Sequence, residues 1–201
     1  MGGKQENGGA PRHGGVSDPP SRAYLQFNGG WPFTGLEAGK FFPAKEKGLT
    51  DPEVPEDVVS GPKTPPPDGK IASSGYEPSA AVLDEVRDWP KVDLRSGAAI
   101  PVTWGYTMKH RTRRYNYFVT KPDWDPSAPL SRGQFEAVPF AVHKPYGNMP
   151  YWDMPEAHSD PNLDGHTITL PQREGYHVIL AVWEVADTGH AFYQVIDANF
   201  S

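Results

Sequence analysis

The sequence predicts a mainly β fold: an antiparallel β-sandwich of the immunoglobulin or fibronectin type, with long irregular Pro/Gly-rich loops and short helical turns. The prediction rests on four β-rich segments in the second half of the chain and on glycine- and proline-dense connections that exclude long helices. The 201 residues, 37% of them hydrophobic, suit one domain with a core of its own.

The chain begins with a polar, glycine-rich segment, residues 1–12. It has no apolar stretch and is therefore not a secretory signal peptide, so we expect a flexible leader or a tag remnant. Residues 13–201 are predicted to form the single domain. From His13 to about Tyr24 the composition becomes mixed, with aromatic residues and proline.

A long excursion follows over residues 26–80, where glycine and proline leave room only for short helical turns. A flexible linker is one interpretation of such a composition. However, Trp31, Phe33, Phe41 and Phe42 alternate with the prolines. These aromatic side chains favour a packed region that shapes the surface of the domain.

The predicted strands are rich in β-branched and aromatic residues, and they cover residues 100–108, 114–120, 176–186 and 191–200. Polar connections containing proline, aspartate and glycine separate them. Residues 141–172 form a second polar, proline-rich excursion without clear periodicity. Several short strands with little helix are typical of an antiparallel sandwich.

Charge and cysteine content exclude several functions. The 25 acidic and 19 basic residues argue against a nucleic-acid partner, because phosphate binding requires a concentrated basic surface. No apolar run approaches the roughly 20 residues of a membrane-spanning helix. The chain has no cysteine, which excludes disulfides, cysteine-based zinc sites and thiol catalysis. We interpret Arg22 and Lys40 as surface charges.

Local motifs identify no site. None of the seven histidines lies in an H-E-x-x-H pattern, and there is no phosphate-binding loop, dinucleotide fingerprint or nucleophile elbow. No spacing places two carboxylates on either side of one bond, so a hydrolase with paired carboxylates is not favoured. Any site must therefore be assembled from distant segments.

Four blocks of sequence carry a family resemblance. The first is His13-Gly14 followed by PPSRAY at 19–24, and the second is DGKIAS at 68–73. The third is Lys109-His110 followed by YFVTKPDWD at 117–125, and the fourth is HVILAVWEVADT at 177–188, leading into AFYQVID at 191–197. In this order they resemble the chitin-binding type of lytic polysaccharide monooxygenase (auxiliary activity family ten), from His13 to the C-terminus.

The resemblance implies one copper ion as cofactor. In that family the terminal histidine donates its α-amino and ring nitrogens and a second histidine completes the site, which gives these roles to His13 and His110. Imidazole is a natural ligand of Cu(II). Phe192 matches an axial aromatic residue that does not ligate the metal. Glu37 matches a carboxylate near the oxygen-binding side. Met108 departs from the family, in which many members carry a small residue at this position, and we expect it to pack against the site rather than to point its thioether at the metal.

The resemblance also implies a flat face that lies on crystalline chitin or cellulose, with chitin favoured over cellulose and C1 as the oxidised carbon. Trp31, Asp187 and His190 match positions on this face. An exposed tryptophan can stack on a pyranose ring, while carboxylates bind its hydroxyl and amide groups. The family further implies an external electron donor and an extracellular location.

One departure leaves an alternative open. With residues 1–12 attached, the nitrogen of His13 is an amide rather than the free α-amine that the copper site requires. A trypsin-like cut after Arg12 removes the obstacle. If the segment stays, we expect a redox-inactive polysaccharide-binding or assembly module with the same fold, in which the leader contacts a neighbour within a larger protein assembly.

Overall fold

The computed structural model describes residues 14–47, 49–51, 53–58, 64–75, 78–107, 110–155 and 165–201. The strands in these ranges are β1 (Gly14–Asp18), β2 (Glu37–Gly39), β3 (Val92–Leu94), β4 (Ala99–Tyr106), β5 (Thr112–Val119), β6 (Ala141–His143), β7 (Gly165–Thr169), β8 (Gly175–Val185) and β9 (His190–Phe200). Helix α1 (Arg22–Phe27) and 3-10 turns at Phe33–Gly35, Pro78–Asp84, Arg132–Gln134 and Tyr151–Asp153 accompany them.

The strands form two sheets that face each other. The smaller sheet has the order β1-β4-β7, and the larger has the order β2-β9-β8-β5-β6, with every pair antiparallel. Strand β3 also pairs with β9, in parallel. The predicted antiparallel β-sandwich is confirmed.

Strand β8 is the centre of the larger sheet and is buried on both faces. Successive side chains of a strand point to opposite faces, so Val178, Leu180 and Val182 pack into one hydrophobic cluster. Ile179 and Trp183 pack into the other cluster, which fills the space between the sheets. A strand buried on both sides must be apolar throughout, which explains the uninterrupted run in the sequence.

The Pro/Gly-rich excursion covers the outer face of the larger sheet. Phe33, Leu36, Phe42 and Ile71 are buried in the same cluster as Leu180. The ring of Phe42 meets that of Phe118 edge-on at 5.0 Å. The expectation of a packed region, rather than a linker, is therefore confirmed.

The four predicted strands are confirmed as β4, β5, β8 and β9, but the shorter strands escaped prediction. The view of residues 141–172 as irregular was wrong at both ends, where β6 and β7 form. Strand β6 has three residues and lies at a sheet edge. Such a segment is defined by pairing with β5 rather than by its own composition.

The interpretation of Arg22 and Lys40 as surface charges was wrong, because both side chains are buried. Arg22 donates two hydrogen bonds to Asp197, of 2.9 and 2.7 Å, and a third to the Leu83 carbonyl. Lys40 donates to the Val58 carbonyl at 3.0 Å. Acids that lie far away in the sequence make these burials possible, since a buried charge requires a partner.

Two arginines near the start of β5 are also paired with acids. Arg113 binds both carboxylate oxygens of Asp57, and Arg114 pairs with Asp51 and Glu184. These contacts attach the excursion to β5 and β8 through charges rather than apolar packing. Among the described residues, no helix is long and apolar enough to cross a membrane.

Lys40 makes stability depend on pH. Burial lowers the pKa of Lys40 from 10.5 to about 8, with Asp57 opposing the shift. Between pH 8 and 10.5, Lys40 is protonated in the unfolded chain but mostly neutral in the folded protein. The unfolded chain therefore binds more protons, and the free energy of unfolding rises with pH. We expect the free energy of unfolding of the native protein, relative to Lys40→Met, to increase by up to about 3 kcal/mol from pH 8 to 10.5.

Urea titrations of both proteins across this pH range provide the measurement. Lys47→Met, at an exposed position in the same excursion, is the matched control and should show no such trend. If the difference in the free energy of unfolding between the native protein and Lys40→Met stayed constant with pH, the lowered pKa of Lys40 would be contradicted.

Candidate functional site

His110 lies at one end of the sandwich, between β4 and β5. Its imidazole stacks on Phe192, with ring centroids 6.0 Å apart and planes 28° apart, and lies 5.9 Å from the Trp183 ring. The side chain is 16% exposed. Two buried aromatic rings therefore fix the imidazole while part of it still reaches solvent.

Asp187, just after β8, faces the same imidazole. Its Oδ1 lies 3.4 Å from Nδ1 of His110. Burial opposes ionisation of this carboxyl, but contacts with His110 and with backbone N–H groups keep the pKa of Asp187 below its usual value. Asp187 thus stays ionised and presents its charge to one particular ring nitrogen of His110.

The start of β1 reaches this aromatic cluster. Gly14 pairs with Tyr106 in the smaller sheet. A Cβ at Gly14 would lie 2.6 Å from the Tyr106 ring and 2.9 Å from the Trp183 ring, so only glycine fits. Gly14 and His110 therefore contact the same indole. His13, the residue before Gly14, and Met108 lie outside the described residues.

Glu37 and His190 form a second carboxylate–imidazole pair. Oε1 of Glu37 lies 3.0 Å from Nδ1 of His190, and the two side chains are 11% and 24% exposed. Glu37 is directly opposite Phe192 across the β2–β9 pair. Since His190 and Phe192 are two residues apart on β9, all three side chains share one face of the sheet.

Trp31 lies on the loop that leads into β2 and is 48% exposed. Its ring packs directly on Gly35, where a Cβ would come within 2.4 Å of the indole. Half of a large aromatic surface therefore faces solvent on a fixed support. This arrangement suits contact with a flat ligand.

The structure thus brings His110, Phe192 and Asp187 into contact and places Glu37 and His190 beside them. Sequence analysis assigned no role to Trp183 or Gly14, although both lie within the blocks of family resemblance. Trp183 could have been found as the single indole in an otherwise aliphatic run that ends at the site. Its Nε1 donates to Thr112 Oγ1 at 2.8 Å, which fixes the ring.

Residues 13–198 match the family model described as lytic polysaccharide mono-oxygenase, cellulose-degrading. The chain belongs to this lytic polysaccharide mono-oxygenase family. The match includes His13, His110, Asp187 and Phe192 and ends at residue 198, within β9.

Individual relatives agree with this assignment. GlcNAc-binding protein A of Vibrio cholerae is 40% identical over 153 residues, which cover 75% of this chain but only 29% of that protein. A chitin binding domain from Burkholderia pseudomallei is 44% identical, with a TM-score of 0.82 over 95% of this chain and 100% of that one. A Bacillus amyloliquefaciens CBM33 in complex with Cu(I) is 32% identical, with a TM-score of 0.69 over 94% and 100%.

Gly14 offers a test of the aromatic cluster. We expect Gly14→Ala to lower the melting temperature by several degrees and to change the near-ultraviolet circular dichroism of tryptophan, because its Cβ meets Tyr106 and Trp183. The control is Gly105→Ala on β4, where a Cβ would meet nothing within 4 Å. Equal spectra and melting temperatures for the two variants would contradict the close contact.

Proposed function

We propose that this protein oxidises crystalline polysaccharide, chitin rather than cellulose, at C1, with one copper ion held by His13 and His110. The observation that carries the proposal is the placement of His110. Its ring is fixed by Phe192 and Asp187 and also lies against the Trp183 indole. Gly14, the residue after His13, contacts the same Trp183 indole. Family membership and a relative in complex with Cu(I) support it.

The donor set fits copper. Asp187 lies against Nδ1 of His110, so Nε2 is the nitrogen that we assign to the metal. A carboxylate behind a ligating imidazole fixes its orientation and strengthens it as a donor. Copper held there would supply one-electron redox chemistry, with electrons from an external donor, for the activation of dioxygen or peroxide. Nitrogen ligands of this kind are those that copper favours.

The surrounding residues have distinct tasks in this proposal. Phe192 is buried, cannot ligate, and closes one side of the imidazole to water. Glu37 holds or accepts a proton at its carboxylate, with His190 as its partner at 3.0 Å. Met108, two residues before His110, stands where many family members carry a small residue, and we propose that it packs beside the metal.

Trp31, Asp187 and His190 are proposed to contact the polymer. Trp31 offers an exposed indole for stacking on a sugar ring, and the other two side chains are 29% and 24% exposed beside the metal site. The names of the relatives support chitin, through GlcNAc binding and chitin binding. The family description names cellulose, which is the alternative polymer.

The proposed domain is 13–201, and its activity requires release of residues 1–12. An amide nitrogen at His13 does not donate to copper as a free α-amine does. Arg12 precedes His13 and suits a trypsin-like protease. We further propose an extracellular location, as in the family.

A redox-inactive polysaccharide-binding module is the second candidate. It is favoured by the peptide bond between Arg12 and His13 and by relatives whose names specify binding. The leader then contacts a neighbour in a larger protein assembly. In this case the Trp31 face binds the polymer without oxidising it.

A direct experiment distinguishes the two candidate functions. We expect the chain that begins at His13 to bind one copper ion tightly by calorimetry and to release oxidised oligosaccharides from chitin when a reductant is present. The full chain and His110→Ala should bind copper far more weakly and release none, while both still sediment with chitin. Weak copper binding by the chain that begins at His13 would support the module instead.

Asp187 should strengthen copper binding through its contact with His110. We expect Asp187→Asn in the chain that begins at His13 to weaken copper binding about 10- to 100-fold, because the charge behind Nδ1 is lost. Calorimetry measures the affinity, and the electron paramagnetic resonance spectrum of the Cu(II) form reports the ligand field. Asp123→Asn, at an exposed loop position, is the control and should change neither.

A further inference from the structure

Two histidines from different sheets lie face to face at one edge of the sandwich. His143 is the last residue of β6, the edge strand of the larger sheet, and His166 lies on β7, the edge strand of the smaller sheet. Their imidazole rings are stacked, with centroids 4.2 Å apart and planes 11° apart. Among the described strands, β6 and β7 are not hydrogen-bonded to each other. The histidine pair, His143 and His166, therefore connects the two sheets at this edge.

Tyr115 on β5 supports both rings of the histidine pair. Its ring centroid lies 4.7 Å from that of His166 and 6.0 Å from that of His143. Tyr115 is fully buried and also stacks on Trp183, with planes 16° apart. The histidine pair thus packs on the aromatic cluster between the sheets.

A hydrogen bond defines where His166 carries its proton. Its Nε2 lies 2.7 Å from the Tyr117 hydroxyl, which also accepts a hydrogen bond from Trp104 Nε1 at 3.1 Å. Because an indole N–H can only donate, the hydroxyl hydrogen of Tyr117 is left to donate to Nε2. His166 is then neutral, with its own hydrogen on Nδ1. Within the described part of the chain, this buried Nδ1 has no hydrogen-bond partner.

The surroundings of His166 disfavour a positive charge. Burial, and after it the charge of His143, lower the pKa of His166 from 6.5 to about 4. Tyr115 and Tyr117 face the ring from β5, and burial raises the pKa of Tyr117 far above its usual value, so this hydroxyl supplies no negative charge. No carboxylate in the described part of the chain offsets these effects. Protonation at Nε2 would also remove the acceptor of the Tyr117 hydroxyl.

We propose that the histidine pair is an acid-sensitive latch, which holds β6 against β7 while both rings are neutral and releases this edge as they are protonated. An open edge exposes both imidazoles to water, where each gains a proton near pH 6.5, at about the usual value. The open state therefore binds more protons than the closed state. Consequently the latch is complete above about pH 6.5 and is lost progressively as the pH falls towards 4.

The strands that carry the latch are suited to local opening. Strand β6 pairs only with β5 over three residues, and β7 pairs only with β4, among the strands that the structure describes. By contrast, β8 pairs along its length with β5 and β9. Edge strands with few contacts open at a lower free-energy cost than the centre of a sheet. The latch thus loosens β6 and β7 and leaves β8 in place.

Release of the edge affects the connection between β6 and β7. This connection carries Trp152, which is 56% exposed and meets Tyr151 edge-on at 5.3 Å. It is also held by the Gly147 carbonyl, which accepts from Arg113 at 3.3 Å. Acid therefore frees both ends of a segment that presents aromatic rings to solvent.

Amide hydrogen exchange followed by NMR on the full chain measures the opening. From the two pKa values of His166, the equilibrium for opening should rise at least about tenfold between pH 7 and pH 5. We expect the protection factors of amides in β6 and β7 to fall by this factor, while those in β8 and β9 stay unchanged. In parallel, the imidazole signal of His166 in a protein with carbon-13-labelled histidine should titrate near pH 4.

His166→Gln is the decisive variant. Its amide oxygen can still accept from Tyr117, but the side chain takes up no proton in this range. Protection in both strands should then change by less than about twofold between pH 7 and pH 5. His143→Gln removes the facing charge and should move the titration of His166 to higher pH, so it decides the matter if His166→Gln fails to fold. Val142→Thr, at an exposed position on β6, is the matched control and should lose protection in acid as the native protein does.

The inference is overturned if His166 titrates near pH 6.5, if β6 and β7 keep their protection at pH 5, or if His166→Gln loses it as the native protein does. It is equally overturned if His143→Gln leaves the titration of His166 unchanged, or if β8 and β9 lose protection to the same extent. None of these measurements uses copper or polysaccharide. Failure of the latch and failure of the proposed function are therefore distinguishable.

Discussion

The fold depends on burial of β8 on both faces. One face packs against the smaller sheet, and the other packs against the Pro/Gly-rich excursion. At about 25 cal/mol per Å² of buried apolar surface, a strand of this kind contributes strongly to stability, provided that something covers each side. The excursion is therefore part of the core, although its composition is that of a loop.

This constraint places the chemistry at the two ends of the sheet. Side chains in the middle of β8 are apolar and buried in the two hydrophobic clusters, whereas the charged groups of β8 and β9 lie towards the strand ends. Asp187 and His190 lie in or beside the turn between them, next to Phe192. Tyr176 and Asp197 occupy the opposite end, where the Tyr176 hydroxyl donates to Asp197 at 2.7 Å. A rigid centre thus supports two distinct polar ends.

Much of this could be predicted from the sequence. The long strands were predictable because two-sided burial demands continuous apolar residues. The site was predictable only through the ordered blocks of family resemblance, since His110 and Phe192 are distant in the chain and share no local motif. The short strands were not predictable, because β2 and β6 are defined by their neighbours on β9 and β5.

The burial of Arg22 and Lys40 could not be predicted either. Arg22 pairs with Asp197 across a separation of 175 residues, and no local sequence pattern predicts such a contact. The same is true of the Glu37–His190 pair, which depends on the register of β2 against β9. Burial of charge depends on the three-dimensional position of the partner, which composition does not encode.

The ion pairs that attach the excursion to the sheets have a consequence for the chemical surroundings that the protein tolerates. A domain cross-linked by disulfides loses its cross-links when thiols or other strong reductants are present. This chain has no cysteine; instead, Arg113–Asp57 attaches the excursion to β5 by charge, and Arg22–Asp197 attaches helix α1 to β9 in the same way. Its architecture is consequently indifferent to the redox potential of its environment, so conditions rich in electron donors leave the scaffold intact.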